Sequence, residues 1–242
     1  MTVSPQNLAH DAYRNLRDAI LEGRLPPGAP LSRRRLAEQF GMSPVPVGDA
    51  LTRLEAEGLV ETRARAGSRV RIPAPSEIAG NYELREALET HSARLFAETA
   101  SPAVRERLLA AAARLDAGFS ILDRCPYDAR RHARIERMHV AFHLLIARAT
   151  GCSELVTAIE RSRVLLFNWL FMLSAELAGL PPGWHTELAK ALVSGKPEEA
   201  AEAMRTHVRY RRREVAEKLR ELARRAAKQE RMARGPQRRT GK

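Results

Sequence analysis

Residues 30–72 read PLSRRRLAEQFGMSPVPVGDALTRLEAEGLVETRARAGSRVRI, and this stretch decides the fold. Two apolar-periodic runs, from Leu31 to Phe40 and from about Pro44 to Glu57, are separated by Gly41-Met42-Ser43. A glycine followed by a capping serine between two short amphipathic runs is the sequence form of a helix-turn-helix. Two β-prone pieces follow, Leu59–Thr62 and Ser68–Ile72, around Ala66-Gly67. They predict a hairpin carrying Arg63, Arg65, Arg69 and Arg71, with no acidic residue between the first and last of them. A helix-turn-helix with a basic hairpin behind it is a winged helix, and its expected ligand is double-stranded DNA.

Upstream, Tyr13, Leu16, Ile20 and Leu21 recur at helical spacing within residues 10–22, and Gly23 and Pro26-Pro27-Gly28 close that helix. Pro30 and Leu31 are expected to open the second helix, whose apolar face is Leu31, Leu36, Ala37 and Phe40. Arg33, Arg34 and Arg35 crowd its first turn, where cations oppose the helix dipole. An external anion such as phosphate accounts for them; so does an ordinary solvated face. In the third helix Ser43 is a good N-cap and Pro44 fits the first turn. Val47, Leu51 and Leu54 face inward, while Val45, Gly48, Asp49 and Thr52, with Arg53 beside them, are placed to meet a DNA groove.

At 242 residues and 27.0 kDa, with 44% hydrophobic residues, the chain can bury a real core in one large or two ordinary domains. Its net charge of +12 favours a polyanionic partner. Part of that charge sits in residues 228–242, where Lys228, Arg231, Arg234, Arg238, Arg239 and Lys242 face Glu230 alone; a solvated helix end and an extra nucleic-acid contact both fit. Cys125 and Cys152 lack metal-like spacing, which suggests a reducing compartment. No signal-peptide core and no run of bilayer length occurs, the most apolar stretch being Val164–Leu173. A cytoplasmic protein with no membrane partner is expected.

Ile72-Pro73-Ala74-Pro75-Ser76 breaks the chain. The expected division is a winged helix at 1–72, a linker at 73–77, an all-α domain at 78–232 and a basic flexible tail at 233–242. Helical patterns cover about 77–99, 102–122, 127–149, 153–178, 183–194 and 197–232, a bundle of about six helices. The fold class is therefore mainly α.

Four histidines of the second domain form a pattern. His139 and His143 lie four apart on one helix face, His185 opens the helix WHTELAKALV, and His207 lies within the last helix. Helical bundles build interior metal sites from such positions. The plain alternative is that these imidazoles are exposed or hydrogen-bonded. His10, His91 and His132 show no partner pattern.

The amino-terminal residues resemble the DNA-binding domain of GntR-family bacterial repressors. The resemblance rests on Gly23-Arg24-Leu25-Pro26-Pro27-Gly28, Leu36-Ala37, Phe40-Gly41-Met42-Ser43, Pro46-Val47, Ala50-Leu51, the run Arg53 to Val60, and Gly67 to Val70, within residues 10–72. That family usually carries an arginine after the capping serine and another four residues on; this chain has Pro44 and Gly48 there. Arg34 and the wing-tip Gly67 match. The resemblance thus implies binding led by phosphate and minor-groove contacts, with an operator preference unlike the family's common one.

The second domain resembles the FadR C-terminal (FCD) effector domain. The matching stretches are Arg85–Glu89, Phe142–Ala149, His185–Gly195 and Ala200–His207. Many members bind a divalent metal through an aspartate and three histidines, which map to His139, His143, His185 and His207. With histidine in the aspartate's place the set is all imidazole, which suits zinc first, with nickel or iron possible, and suits calcium or magnesium poorly. The resemblance also implies a small organic acid as effector. Arg85 could clamp its carboxylate or pair with Glu89, and Asn168 and Trp169 could line the cavity. A ligand-responsive regulator, acting as a repressor and a homodimer on an inverted repeat, is the expected function. Two alternatives stand beside it: a metalloenzyme using the four histidines, for which Glu136 carries no mark of a base, and a DNA-binding protein without an effector.

Overall fold

The computed structural model describes residues 5–21, 24–64, 67–162, 179–210 and 212–233. The amino-terminal unit comprises α1 (Pro5–Leu21), β1 (Pro30–Leu31), α2 (Arg33–Phe40), α3 (Pro44–Ala56), β2 (Val60–Arg63) and β3 (Gly67–Val70). The strands form an antiparallel sheet in the order β1-β3-β2, with Leu31 opposite Ser68 and Glu61 opposite Arg69. Helix α2 begins later than expected. Pro30 and Leu31 pair with β3, and the Ser32 hydroxyl accepts from the Arg35 N–H at 3.4 Å. A serine cap competes better for that first turn than a proline two residues earlier. Gly41 ends α2 in the left-handed region (φ 63°), donating to the carbonyls of Ala37 and Glu38. Ser43 does occupy the N-cap of α3, but its side chain makes no cap hydrogen bond; Pro44 starts the helix. Leu16, Ile20, Leu36, Val47, Leu54 and Val70 meet in the core, so the inward face of α3 is as the periodicity predicts.

Wing and reading helix are fastened together. The Glu55 carboxylate on α3 accepts from the Thr62 N–H at 2.9 Å and from its hydroxyl at 3.1 Å. After the wing, Glu77 pairs with Arg71 and accepts from the Ala74 N–H at 2.7 Å, stiffening the short passage into the second unit.

That second unit is all-helical among the described residues: α4 (Pro75–Thr99), α5 (Pro102–Arg124), α6 (Ala129–Ala149), α7 over 153–162, α8 (Trp184–Val193), α9 (Pro197–Arg209) and α10 (Arg212–Ala233). Ser101 and Asp128 cap α5 and α6. The expected single helix over 197–232 is two, broken at Tyr210, whose ring rests on Trp184 at 4.5 Å. No glycine or proline announces that break. Helices α4 and α9 run antiparallel, joined by Arg94–Glu198 and Arg209–Glu86 pairs. Between them and α5, α6 and α8 lies a core that includes Phe96, Leu108, Phe142, Ile146, Leu192 and Met204.

One arginine closes two helix ends. Arg105 donates to the carbonyls of Ala97 (2.7 Å), Ala100 (3.0 Å) and Val193 (2.7 Å). These groups end α4 and α8, where carbonyls lack intrahelical donors. Arg105→Ala strands them together, so a stability loss of about 2 kcal/mol is expected. In a thermal melt that corresponds to a Tm fall of roughly 5 °C.

Candidate functional site

The first candidate surface is the outer face of α2, α3 and the wing. Arg33, Arg34 and Arg35 are all exposed in the first turn of α2. Arg34 pairs with Glu38 at 3.0 Å across an open surface, an arrangement that a phosphate can displace at little cost. Arg33 goes elsewhere. Its guanidinium lies against Gly48, with Nε, Cζ and Nη1 each 3.5 Å from where a Cβ there would stand. Gly48 is buried beneath it although it sits on the outer side of α3. Val45, which is 71% exposed, flanks this platform along with exposed Asp49 and Thr52, whose hydroxyl donates to the Gly48 carbonyl at 3.1 Å. Ser43 is also exposed at the head of the helix.

Arg53 is set apart from that group: its guanidinium lies 3.8 Å over the Tyr13 ring, and it pairs with Glu57, so it fastens α3 to α1. The wing is less cationic than its own sequence suggests. Glu61, just before the arginine run, faces Arg69 across the hairpin, pairs with it, and also reaches Arg63 at 3.3 Å. Strand pairing brings in an acid that linear order hides. Gly67 has φ 77° at the start of β3, a conformation that favours glycine. Arg65 lies outside the described residues.

The second candidate is the histidine cluster. Histidines 139 and 143 project from α6, His185 from the first turn of α8 and His207 from α9. His139, His185 and His207 offer ligand nitrogens that all lie within 4.8 Å of one another. His143 joins them through a 3.0 Å contact between its Nε2 and that of His139. All except His139 are buried, and His139 is only 16% exposed in its side chain. Phe119 stacks on His185 and Trp184 on His207, which keeps the surroundings apolar.

Carboxylates stand behind three of these imidazoles. Glu89 on α4 meets His143 Nδ1 at 2.7 Å, Asp116 on α5 meets His185 Nδ1 at 2.8 Å, and Glu136 lies 3.6 Å from His139 Nδ1. At His185 the Asp116 carboxylate accepts from Nδ1–H, which turns the Nε2 lone pair toward the centre, the usual outer shell of a metal-bound histidine; Glu89 and Glu136 stand at their imidazoles as close carboxylates. Asp116 has a second task. Gly183, the N-cap of α8, has no side chain, and Asp116 accepts from the backbone N–H groups of His185 (3.0 Å) and Thr186 (2.9 Å) in its place. Burial alone would raise its pKa. The hydrogen bonds from the His185 ring, the Thr186 hydroxyl and the two backbone N–H groups outweigh burial and hold it well below the usual carboxylate range. Sequence reading missed Asp116, because nothing in the helical run around it marks one acid as a cap for a helix nearly seventy residues on.

This donor set fits a first-row transition ion. Two bonds of about 2.05 Å at a tetrahedral angle span about 3.3 Å, close to the His139–His143 contact. Arg85 is fully engaged on its Nε side, donating to Glu89 Oε1 at 2.8 Å while Glu89 Oε2 faces His143. It therefore stands one carboxylate away from the cluster. A groove of about 380 Å³ between α8 and α9 reaches His207 and is lined by Trp184, Glu187, Glu199 and Glu202. Asn168 and Trp169, expected to line the effector cavity, lie outside the described residues.

Residues 8–70 match the family of bacterial regulatory proteins called gntR, and residues 81–210 match the FCD domain. A probable D-xylose utilization operon transcriptional repressor of Paenarthrobacter nicotinovorans is 29% identical over 190 residues, covering 78% of this chain and 80% of that protein. An uncharacterized HTH-type transcriptional regulator in an unstable DNA locus of Streptomyces ambofaciens is 30% identical over 209 residues, covering 82% and 81%. Among solved structures, McbR/YncC of E. coli superposes with a TM-score of 0.64 at 22% identity over 90% of this chain and 99% of that one, a likeness of fold. No helix among the described residues is long and apolar enough to cross a membrane. With a winged helix-turn-helix in front and an effector-binding FCD bundle behind, the chain belongs to the gntR family of bacterial regulatory proteins and is a DNA-binding transcription regulator, not an enzyme.

Proposed function

We propose that this regulator is a homodimeric repressor whose bundle holds a divalent transition metal, zinc first, on His139, His143, His185 and His207, and senses a small organic acid beside it. The observation that carries the reading is the convergence of four imidazoles from three helices, three of them backed by carboxylates. The 3.0 Å contact between the Nε2 atoms of His139 and His143 requires one ring to donate to the other, and a divalent cation held there would take both lone pairs instead. The bound ion would act as a Lewis acid for an incoming carboxylate. The chain's own part is orientation: Glu89 accepts from Arg85 and faces His143 Nδ1 at 2.7 Å, so a charge placed near Arg85 is felt at the metal ligands through the one carboxylate that both touch. The groove beside His207 has an acidic rim, which gives an anion no help there. Arg85 and the metal are the attractive elements for an acid.

On the DNA side, Arg33 laid on Gly48 brings a cation to the face of α3 that a groove-binding helix presents, and Arg34, Arg35 and Arg63 add phosphate contacts. A second head supplied by a dimer gives an inverted-repeat operator. Effector binding alters operator affinity only if the two arrangements of the heads differ in effector affinity.

Thermal-shift screening with small organic acids, with and without EDTA, tests the sensing reading. Stabilisation by an acid that vanishes with EDTA is expected; indifference to every acid in both conditions favours a DNA-binding protein with no effector. A paired substitution tests the outer shell. Asp116→Ala removes both the imidazole partner and the α8 cap, so metal affinity is expected to fall roughly 10- to 100-fold. The same variant loses about 1 kcal/mol of stability even without metal. Asp116→Asn keeps an oxygen for the cap and should weaken metal binding with a smaller stability cost, read by competition with a chromophoric chelator and by denaturant unfolding.

A further inference from the structure

Helix α10 begins two residues after the FCD match ends. Its charge is graded along its length. In the first half cations and acids alternate and pair, Arg213 with Glu217 at 3.2 Å and Lys218 with Glu221 at 3.6 Å. After Glu221 the balance is lost: Arg224, Arg225 and Lys228 follow, all exposed, and the sequence continues through Arg231, Arg234, Arg238, Arg239 and Lys242 with Glu230 the one acid. Intrahelical pairing accounts for the first half, and Arg225 still reaches back to Glu221 at 4.0 Å across an open surface, a pair that a phosphate can displace at little cost. Beyond it cations outnumber acids along the helix, and like charges at close helical spacing repel.

The register of the bundle says where that half lies. As numbers rise along α9 and into α10, their partners on α4 fall: Glu198 meets Arg94, Arg209 meets Glu86, and Arg212 meets Glu83. Val215 then joins the core cluster of Ile78 and Tyr82. Helix α4 begins three residues before Ile78, at Pro75, straight after the wing and its exit. Past Val215, residues 216–233 rise by roughly 27 Å, while α4 has only about 5 Å left to cover. The basic half of α10 therefore runs past the start of α4 by up to roughly 20 Å, on the side where the DNA-binding unit is attached.

We infer that the distal half of α10, through Arg224, Arg225 and Lys228, is a third DNA contact: a sequence-independent arm that takes backbone phosphates of the duplex flanking the operator half-site. The chemistry is that of point charges on phosphate. It adds affinity without base discrimination and makes binding steeper in salt, by roughly 0.9 in the slope of log K against log salt for each phosphate neutralised. It also separates two roles on one chain, since the winged unit selects the site and the arm lengthens the footprint.

The test uses the full-length protein and a random-sequence duplex of about 40 base pairs, titrated over roughly 50–200 mM KCl. Arg224→Gln/Arg225→Gln/Lys228→Gln is expected to lower affinity at least several-fold and to reduce the salt slope by about two to three. Arg224→Lys/Arg225→Lys should keep both, because a phosphate clamp of this kind reads charge rather than guanidinium shape. Circular dichroism and sedimentation of the triple variant matching the parent would exclude loss of helix or assembly as the cause. An unchanged slope in the folded triple variant overturns the inference, as does an equal loss in the lysine variant.

Discussion

Protein purified without a polyhistidine tag is expected to carry about one equivalent of zinc or a neighbouring divalent ion per chain, and the His143→Ala/His185→Ala variant almost none. The two histidines come from different helices and each faces a carboxylate, the buried Glu89 and the partly buried Asp116, so removing both takes away half the donors and leaves Glu89 and Asp116 without their imidazole partners. The effect on stability should be large. A ligand present at a thousandfold its Kd stabilises by about 4 kcal/mol, which in a chain of this size is a Tm difference on the order of 10 °C between metal-loaded and EDTA-treated protein. The double variant should melt at one temperature in both conditions. His139→Asp offers a finer reading: it restores an anionic oxygen to the set and should retain metal while shifting preference toward ions that favour oxygen. Near-zero metal in the parent and the variant alike would reduce the cluster to hydrogen-bonded imidazoles.

The second large effect is expected at Arg33. Arg33→Ala should weaken operator binding by roughly 5- to 150-fold, the range for one arginine bidentate to guanine. The same substitution should flatten discrimination at one base position per half-site. Arg34→Ala should instead weaken all sequences alike, because its guanidinium pairs with Glu38 on the open side of α2. The distinction comes from Gly48. Arg33 lies along α3 because no side chain stands in its way, and the 3.5 Å spacing leaves room for a methyl group and nothing larger. Gly48→Ala should therefore be nearly silent, and Gly48→Leu should mimic the loss of Arg33 while leaving the inward face of α3 packed. Binding isotherms on a panel of single-base operator variants separate these outcomes. Uniform weakening by Arg33→Ala would make it another phosphate contact.

Much of this was open to a reader of the sequence, for physical reasons. Val47, Leu51 and Leu54 stand at helical spacing behind a serine and a proline, and that local pattern needs no tertiary information to locate a reading helix. His139 and His143 share a helix face for the same reason, and their meeting with His185 and His207 follows once the bundle closes. What stayed hidden depends on partners distant in sequence. Glu61 is outside the arginine run of the wing, yet strand pairing sets it against Arg69. Arg33 and Gly48 are on different helices, and only their packing shows that an absent side chain makes a bed for a present one. Asp116 caps a helix that begins far along the chain. Local order is legible from periodicity; charge compensation is not, because it is settled in three dimensions.

The central claim is that the winged unit and the histidine chamber report to each other. Its most direct measurement is fluorescence anisotropy on the duplex upstream of this protein's own gene, at moderate salt, with metal-loaded protein and a panel of small organic acids. The account predicts binding that at least one acid changes by 5-fold or more, a typical coupling between sites. In the His143→Ala/His185→Ala variant binding should persist and the response to the acid should be gone. Failure to bind that duplex, or binding that no acid alters with or without metal, would contradict it.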